Sequence, residues 1–156
     1  MKFIVDLTMG RLARWLRIAG YNTVLYNSEK MDGIIEIASK EERVILTRNN
    51  ILVERNKKLL KEKGIQYLLL TADIVERQLQ DTATYFGLNL KENSFTFCIN
   101  CNTPLTSIPK EETAGKVPDY VHQNYNKFVR CEKCGKIFWG GTHKKRMEER
   151  LAKFQG

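Results

Sequence analysis

Two cysteine pairs share one spacing, Cys98-Ile-Asn-Cys101 and Cys131-Glu-Lys-Cys134. Each CxxC places two thiolates on one tight turn. Two such turns supply the four sulfurs of a tetrahedral zinc at about 2.3 Å per Zn–S bond. Two disulfides or a redox-active CxxC are the other chemistries open to four cysteines, and the matched pairs favour zinc over both. Asn102 and Gly135 directly follow the pairs, where such a turn asks for a residue tolerant of positive φ. Four thiolates leave no open coordination position, so the expected zinc is structural. Phe97, Phe128, Val129, Phe138 and Trp139 are the expected small core of that module.

A second set of residues is acidic. Asp6 closes the apolar run Phe3-Ile4-Val5. A carboxylate at the end of an interior strand is costly unless it meets a cation or accepts hydrogen bonds. Asp32 and Asp73 each open a helical pattern, where an acid is also favoured by the helix N-terminus alone. Acids gathered around one cleft hold Mg²⁺ or Mn²⁺ through oxygen, and two such ions about 4 Å apart serve phosphodiester hydrolysis. In Thr47-Arg48-Asn49, Arg48 can contact phosphate and Asn49 is a weaker, neutral oxygen ligand. The structural alternative for Asp6, Asp32 and Asp73 is a helix cap.

The third set is cationic. The formal net charge is +8, and the smaller part of the chain, residues 93–156, contributes +5 of it. Such an excess favours polyanions through counterion release. Phe138-Trp139-Gly140-Gly141-Thr142-His143-Lys144-Lys145-Arg146 joins aromatics that can stack on bases to cations that can hold phosphates. Trp139 is equally suited to the core of the zinc module, and the cations to a solvated helix face. Arg11, Arg14 and Arg17 form another cationic row around Trp15, on a helix whose apolar stripe is Met9, Leu12, Ala13, Leu16 and Ala19.

The elements that must position these residues alternate. Lys2–Asp6, Thr23–Tyr26, Arg43–Thr47 and Ile65–Leu70 are predicted strands, and a helical pattern follows each. Thr8 is the expected cap of the first helix and Gly20 its stop; Asp73 with Glu76 has the form of a capping box before the fourth. The fold class is α/β, with a mostly parallel sheet and helices on both faces. Ligands in such folds gather beyond the carboxyl ends of the strands, near a switch point in the strand order. Asp6, Asn49 and Asp73 fall at or just past those ends. Composition changes near Lys91–Ser94, which divides the chain into an α/β domain at 1–92 and a four-cysteine zinc ribbon with a basic C-terminal tail at 93–156. Neither a secretory signal nor an apolar run of about 20 residues is present, so a soluble, cytoplasmic protein with no membrane partner is expected.

Several segments together resemble the Mut7-C family, a PIN-like ribonuclease domain followed by a zinc ribbon. They are Asp6-Leu-Thr-Met-Gly-Arg-Leu-Ala-Arg-Trp-Leu-Arg-Ile-Ala-Gly20-Tyr21, Arg43-Val-Ile-Leu-Thr47-Arg48, Gln78-Leu79, the two CxxC pairs with Asn102, Trp139-Gly140 through His143, and Arg146-Met147. The resemblance spans Phe3 to Met147. It implies a PIN-like three-layer fold, acids clustered around a divalent metal, and RNA as substrate. Asp6 and Asp32 match acidic positions of the family pattern, and Asp73 a further one. Where the family usually has Thr-Arg-Asp, this chain has Thr47-Arg48-Asn49, which should weaken metal binding at the centre.

The expected function is a divalent-metal-dependent endoribonuclease. Asp6, Asp32, Asn49 and Asp73 would form its catalytic centre, with Asp6 and Asp32 holding Mg²⁺ or Mn²⁺. Arg11, Arg14, Arg17, Arg48, Trp139, His143, Lys144, Lys145 and Arg146 would contact RNA. The alternative is an RNA-binding or ribosome-associated module with weak or no nuclease activity. A homodimer, and a protein partner docked on the zinc ribbon, are the other associations the resemblance suggests.

Overall fold

The computed structural model of the chain describes residues 1–155. Four short apolar segments form β1 (Phe3–Asp6), β2 (Thr23–Tyr26), β3 (Val44–Thr47) and β4 (Tyr67–Leu69). They make one sheet in the order β2-β1-β3-β4, every pairing parallel. β1 and β3 are buried along their whole length, as parallel strands covered on both faces must be. Successive side chains alternate between two apolar layers. Phe3, Val5, Val44 and Leu46 pack with α1 (Gly10–Ile18) and α4 (Val75–Phe86), whereas Ile4 and Ile45 pack with α2 (Asp32–Glu41) and α3 (Asn50–Glu62). The α/β class and the parallel sheet expected from the alternating pattern are therefore what the chain adopts.

The local signals at two helix starts resolve differently from expectation. Thr8 does not cap the first helix. Asp6 caps a 3₁₀ turn at Leu7–Met9, and Thr8 donates to it. Ile74 precedes α4 without a side-chain cap, and the members of the expected capping box are engaged elsewhere: Asp73 pairs with Arg48, and Glu76 with Arg150. At the end of α1, Gly20 does what a stop residue should, at φ 89°. A Cβ there would lie 2.0 Å from the Asn93 carbonyl oxygen, so the segment that follows α4 passes against bare backbone. Gly20→Ala is expected to destabilise the protein by about 3 kcal/mol in urea unfolding, from the strained φ and the displaced segment.

The second sheet is antiparallel, in the order β5-β6-β7, with β5 (Leu105–Ile108), β6 (Phe128–Cys131) and β7 (Ile137–Trp139). Its core is small. Val117, Val121 of α5 (Asp119–Asn124) and Phe128 are buried, and Ile108, Tyr125, Ile137 and Trp139 pack against them. Phe138 and Val129, expected in this core, belong to the other face. The strand period of two puts them opposite Phe128, and Lys136 stands 5.4 Å above the Phe138 ring. Phe97, also expected there, is half-buried outside that cluster and pairs with Pro104 in an isolated bridge.

The last helix, α6 (Thr142–Phe154), returns to the first sheet. Leu151 is buried in the layer formed by β1, α1 and α4, and Met147 and Phe154 pack on it. Phe154 meets Trp15 edge-to-face at 5.7 Å, and Arg150 covers the other side of that indole system at 4.8 Å. Among the described residues, no helix is long and apolar enough to cross a membrane.

Candidate functional site

The strand order reverses direction between β1 and β3, because β2 lies on one side of β1 and β3 on the other. At the carboxyl end of that junction, Asp6 closes β1 and Thr47 closes β3. Asp6 is only 5% exposed. Its Oδ1 accepts the Thr8 amide at 2.9 Å and the Thr8 hydroxyl at 2.5 Å, and its Oδ2 accepts the Thr47 hydroxyl at 2.8 Å. Thr47 Oγ1 in turn accepts the Asn49 amide at 3.0 Å. These bonds meet the cost of burying a carboxylate and fix its orientation. Thr47, which sequence reasoning passed over as a strand residue, is thus the link between the two strand ends. Thr47→Val keeps the shape and removes that link. It is expected to cost about 1–2 kcal/mol in denaturant unfolding by leaving one Asp6 oxygen unpartnered.

The other predicted residues stand along the same edge, yet they do not close on Asp6. Asn49 caps α3, its Oδ1 accepting the Leu52 amide at 2.9 Å. Asp73, beyond β4, forms an ion pair with Arg48, beyond β3. Asp32 is exposed in the first turn of α2. Arg11 and Arg14 are exposed on α1. Among the described residues, no three carboxylates converge as a metal cage. The edge therefore offers one buried, oriented carboxylate, one free exposed carboxylate, and a third neutralised by a guanidinium. It also carries three exposed apolar side chains that the sequence reading did not single out: Leu7 at 49%, Ile51 at 62% and Ile74 at 65%. Each follows a strand by one to five residues, and an apolar residue at such a position is the signal that could have found them.

The four cysteines form the clearest constellation. All are free thiols, and their sulfurs lie within 4.8 Å of one another. Cys98 and Cys134 are 3.9 Å apart, against the roughly 3.8 Å edge of a tetrahedron with 2.3 Å Zn–S bonds. Asn102 and Gly135 take positive φ, 58° and 76°, and their amides reach back to the Cys98 and Cys131 carbonyls at 2.9 and 2.8 Å. Without a metal the thiols are unevenly poised. Burial raises Cys98 and, with the neighbouring thiols, pushes Cys101 up to about 12. At Cys131 burial also opposes ionisation, but the backbone amides of Cys134 and Lys133 prevail, and the thiol falls to about 7. Four sulfurs at this separation suit a soft divalent ion that takes all of them as thiolates.

Two residues expected to contact RNA are committed to structure. Arg17 is 8% exposed and donates to the carbonyls of Thr23, Ile99 and Asn100, so it does not present a cation to phosphate. Trp139 packs in the ribbon core against Phe128 and its neighbours. His143, Lys145 and Arg146 are exposed at the start of α6, and Lys144 lies over the Phe95 ring at 5.1 Å and near Glu148 at 3.7 Å.

Comparison with curated proteins and with solved structures finds no match to the chain. One family model does match, that of the Mut7-C RNAse domain, over residues 1–151. It takes in both sheets, all four cysteines and α6 as far as Leu151. The chain belongs to the Mut7-C RNAse domain family.

Proposed function

We propose that this protein is a divalent-metal-dependent endoribonuclease of the cytoplasm, cutting RNA phosphodiesters at the carboxyl edge of the parallel sheet. The observation that supports this reading is Asp6, a buried carboxylate held from three directions at the switch point of an α/β sheet. Asp6 and Asp32 are the residues that would hold Mg²⁺ or Mn²⁺, with Asn49 and Asp73 completing the set. Such an ion supplies charge neutralisation at the phosphate and activation of water. Arg11, Arg14 and Arg48 supply phosphate contacts from the chain itself. Arg48 must exchange its partner, Asp73, for the phosphate, which keeps both groups neutralised until RNA arrives. Leu7, Ile51 and Ile74 give unstacked bases an apolar surface beside those cations. His143, Lys144, Lys145 and Arg146 extend the cationic track onto α6.

Two observations favour a second reading, RNA binding with weak or no cleavage. The Asn49 carbonyl is spent on capping α3, and Arg48 occupies Asp73. Cleavage of end-labelled single-stranded RNA with Mn²⁺ or Mg²⁺ separates the two. Metal-dependent cutting by the native chain upholds the nuclease. Salt-sensitive binding without cutting moves the assignment to the binding module. Asn49→Asp still caps the helix through one oxygen and adds an anionic ligand with the other, so cutting is expected to rise about tenfold.

A further inference from the structure

We propose that Arg17 is the counter-cation of the metal-bound tetrathiolate, and that through it the metal holds the open edge of the parallel sheet in register. The proposal rests on the four cysteines binding zinc.

Arg17 belongs to α1, yet its guanidinium is buried and all its hydrogen bonds go to neutral carbonyls: Thr23 from Nε at 2.9 Å, Ile99 and Asn100 from Nη1 at 2.8 and 3.2 Å. The ion pairs among the described residues do not include it. A buried cation without an anion is costly, so a compensating charge is required. Ile99 and Asn100 are the two residues between Cys98 and Cys101, which sets the guanidinium against the first knuckle. Burial opposes the Arg17 charge, and negative charge placed on Cys98 and Cys101 favours it. Four thiolates around one divalent zinc carry a formal charge of −2, which is the anion that Arg17 otherwise lacks.

The same contacts reach the sheet. β2 is an edge strand, paired only with β1. Its outward-facing groups at Thr23 are both taken: Arg17 of α1 bonds the carbonyl, and Asn102 Oδ1, beside the first knuckle, accepts the amide at 2.8 Å. Asn102 is the residue whose positive φ completes the first knuckle. Its Nδ2 donates to Asn22 Oδ1 at 2.9 Å, and that oxygen also accepts Arg43 Nη1 at 2.6 Å. Arg43 Nη1 continues to the Phe3 carbonyl at 3.1 Å. A polar chain thus runs from the knuckle, across the start of β2, to the start of β1. The knuckle stands where a fifth strand would, and its shape depends on the metal.

The test uses the full chain. Zinc content is measured first; absence of one zinc per chain removes the metal reading itself and the proposal with it. Given stoichiometric zinc, affinity is measured by competition with a chromogenic chelator for native protein, Arg17→Met and Arg17→Lys. Arg17→Met keeps an apolar stem and loses the charge, and a zinc affinity about tenfold weaker is expected. Arg17→Lys should recover most of that loss, which a purely packing role would not produce. Asn102→Gly keeps the positive φ of the turn and removes both side-chain bonds, and faster amide exchange at Thr23 is expected from it. Hydrogen exchange on zinc-stripped native protein covers the case in which Arg17→Met does not fold. Faster exchange over residues 23–26 as well as the ribbon is the supporting result. Native zinc affinity in folded Arg17→Met, or exchange that rises only in the ribbon on stripping, overturns the proposal.

Discussion

Removal of zinc, by chelation or by Cys131→Ser, is expected to unfold the β5-β6-β7 sheet and lower the melting temperature of the whole protein by about 15 °C. Three buried apolar residues, Val117, Val121 and Phe128, are too few to hold a module of this size without a cross-link. The first cysteine pair precedes β5 and the second joins β6 to β7, so the metal closes the loop that carries β5, α5 and β6. Loss of β signal in circular dichroism and of the ribbon's dispersed amide resonances is the measurement. A ribbon that stays folded after chelation would show that packing alone suffices. The effect has a definite pH sign. Metal binding needs thiolates, so protons compete with zinc. Cys131, at about 7, loses its charge as pH falls below neutrality, and Cys101, at about 12, releases its proton to solvent when the metal displaces it. Zinc affinity should therefore fall steadily from about pH 8 to pH 5. A flat profile over that range would exclude thiolate ligation.

Asp6→Asn is expected to reduce RNA cleavage by at least about a hundredfold while changing stability by only about 1 kcal/mol. The asymmetry follows from the contacts. An asparagine oxygen can still accept the Thr8 amide, and Thr47 can rotate its hydroxyl to accept from the new amide. The hydrogen-bond frame survives, and the negative charge does not. Asp6→Leu would lose both, with a stability cost of about 3 kcal/mol because Thr47 and Thr8 are left facing an apolar side chain. Single-turnover cleavage and urea unfolding on the same two variants separate the charge from the frame. Equal cleavage by native protein and Asp6→Asn would place the chemistry away from this edge.

Much of this was written in local patterns. Short apolar runs ending at Asp6 and Thr47, with helical stripes between them, are sufficient for a parallel α/β sheet, because each run is too short for a helix and too apolar for a surface. The knuckles were equally legible, since CxxC spacing and the tolerance of Asn102 and Gly135 for positive φ are properties of consecutive residues. What was hidden depended on neighbours distant in sequence. Arg17 looked like a third member of the Arg11 and Arg14 row. However, each three-residue step on a helix drifts by about 60°, so Arg17 has turned about 120° from Arg11, towards the face on which the ribbon docks. Asp73 resembled a cap because Glu76 follows at the right distance. Arg48 and Arg150 claim the two acids from other strands and helices. Phe138 was assigned to a core by its type, whereas the strand period assigned the core to Ile137 and Trp139.

The return of α6 onto the first sheet has a consequence for synthesis. The layer around Phe3, Leu12 and Leu79 is covered by Leu151 with Met147 and Phe154, and Gln155 bonds the Leu90 amide at 2.6 Å and the Leu88 carbonyl at 2.9 Å. As the chain leaves the ribosome, the four parallel strands emerge long before the helix that covers them. The ribbon segment emerges while one face of the sheet is still open. Trp15 and Phe154, from opposite ends of the chain, then have to meet, and contacts of such long sequence separation carry a loop-closure cost that slows folding.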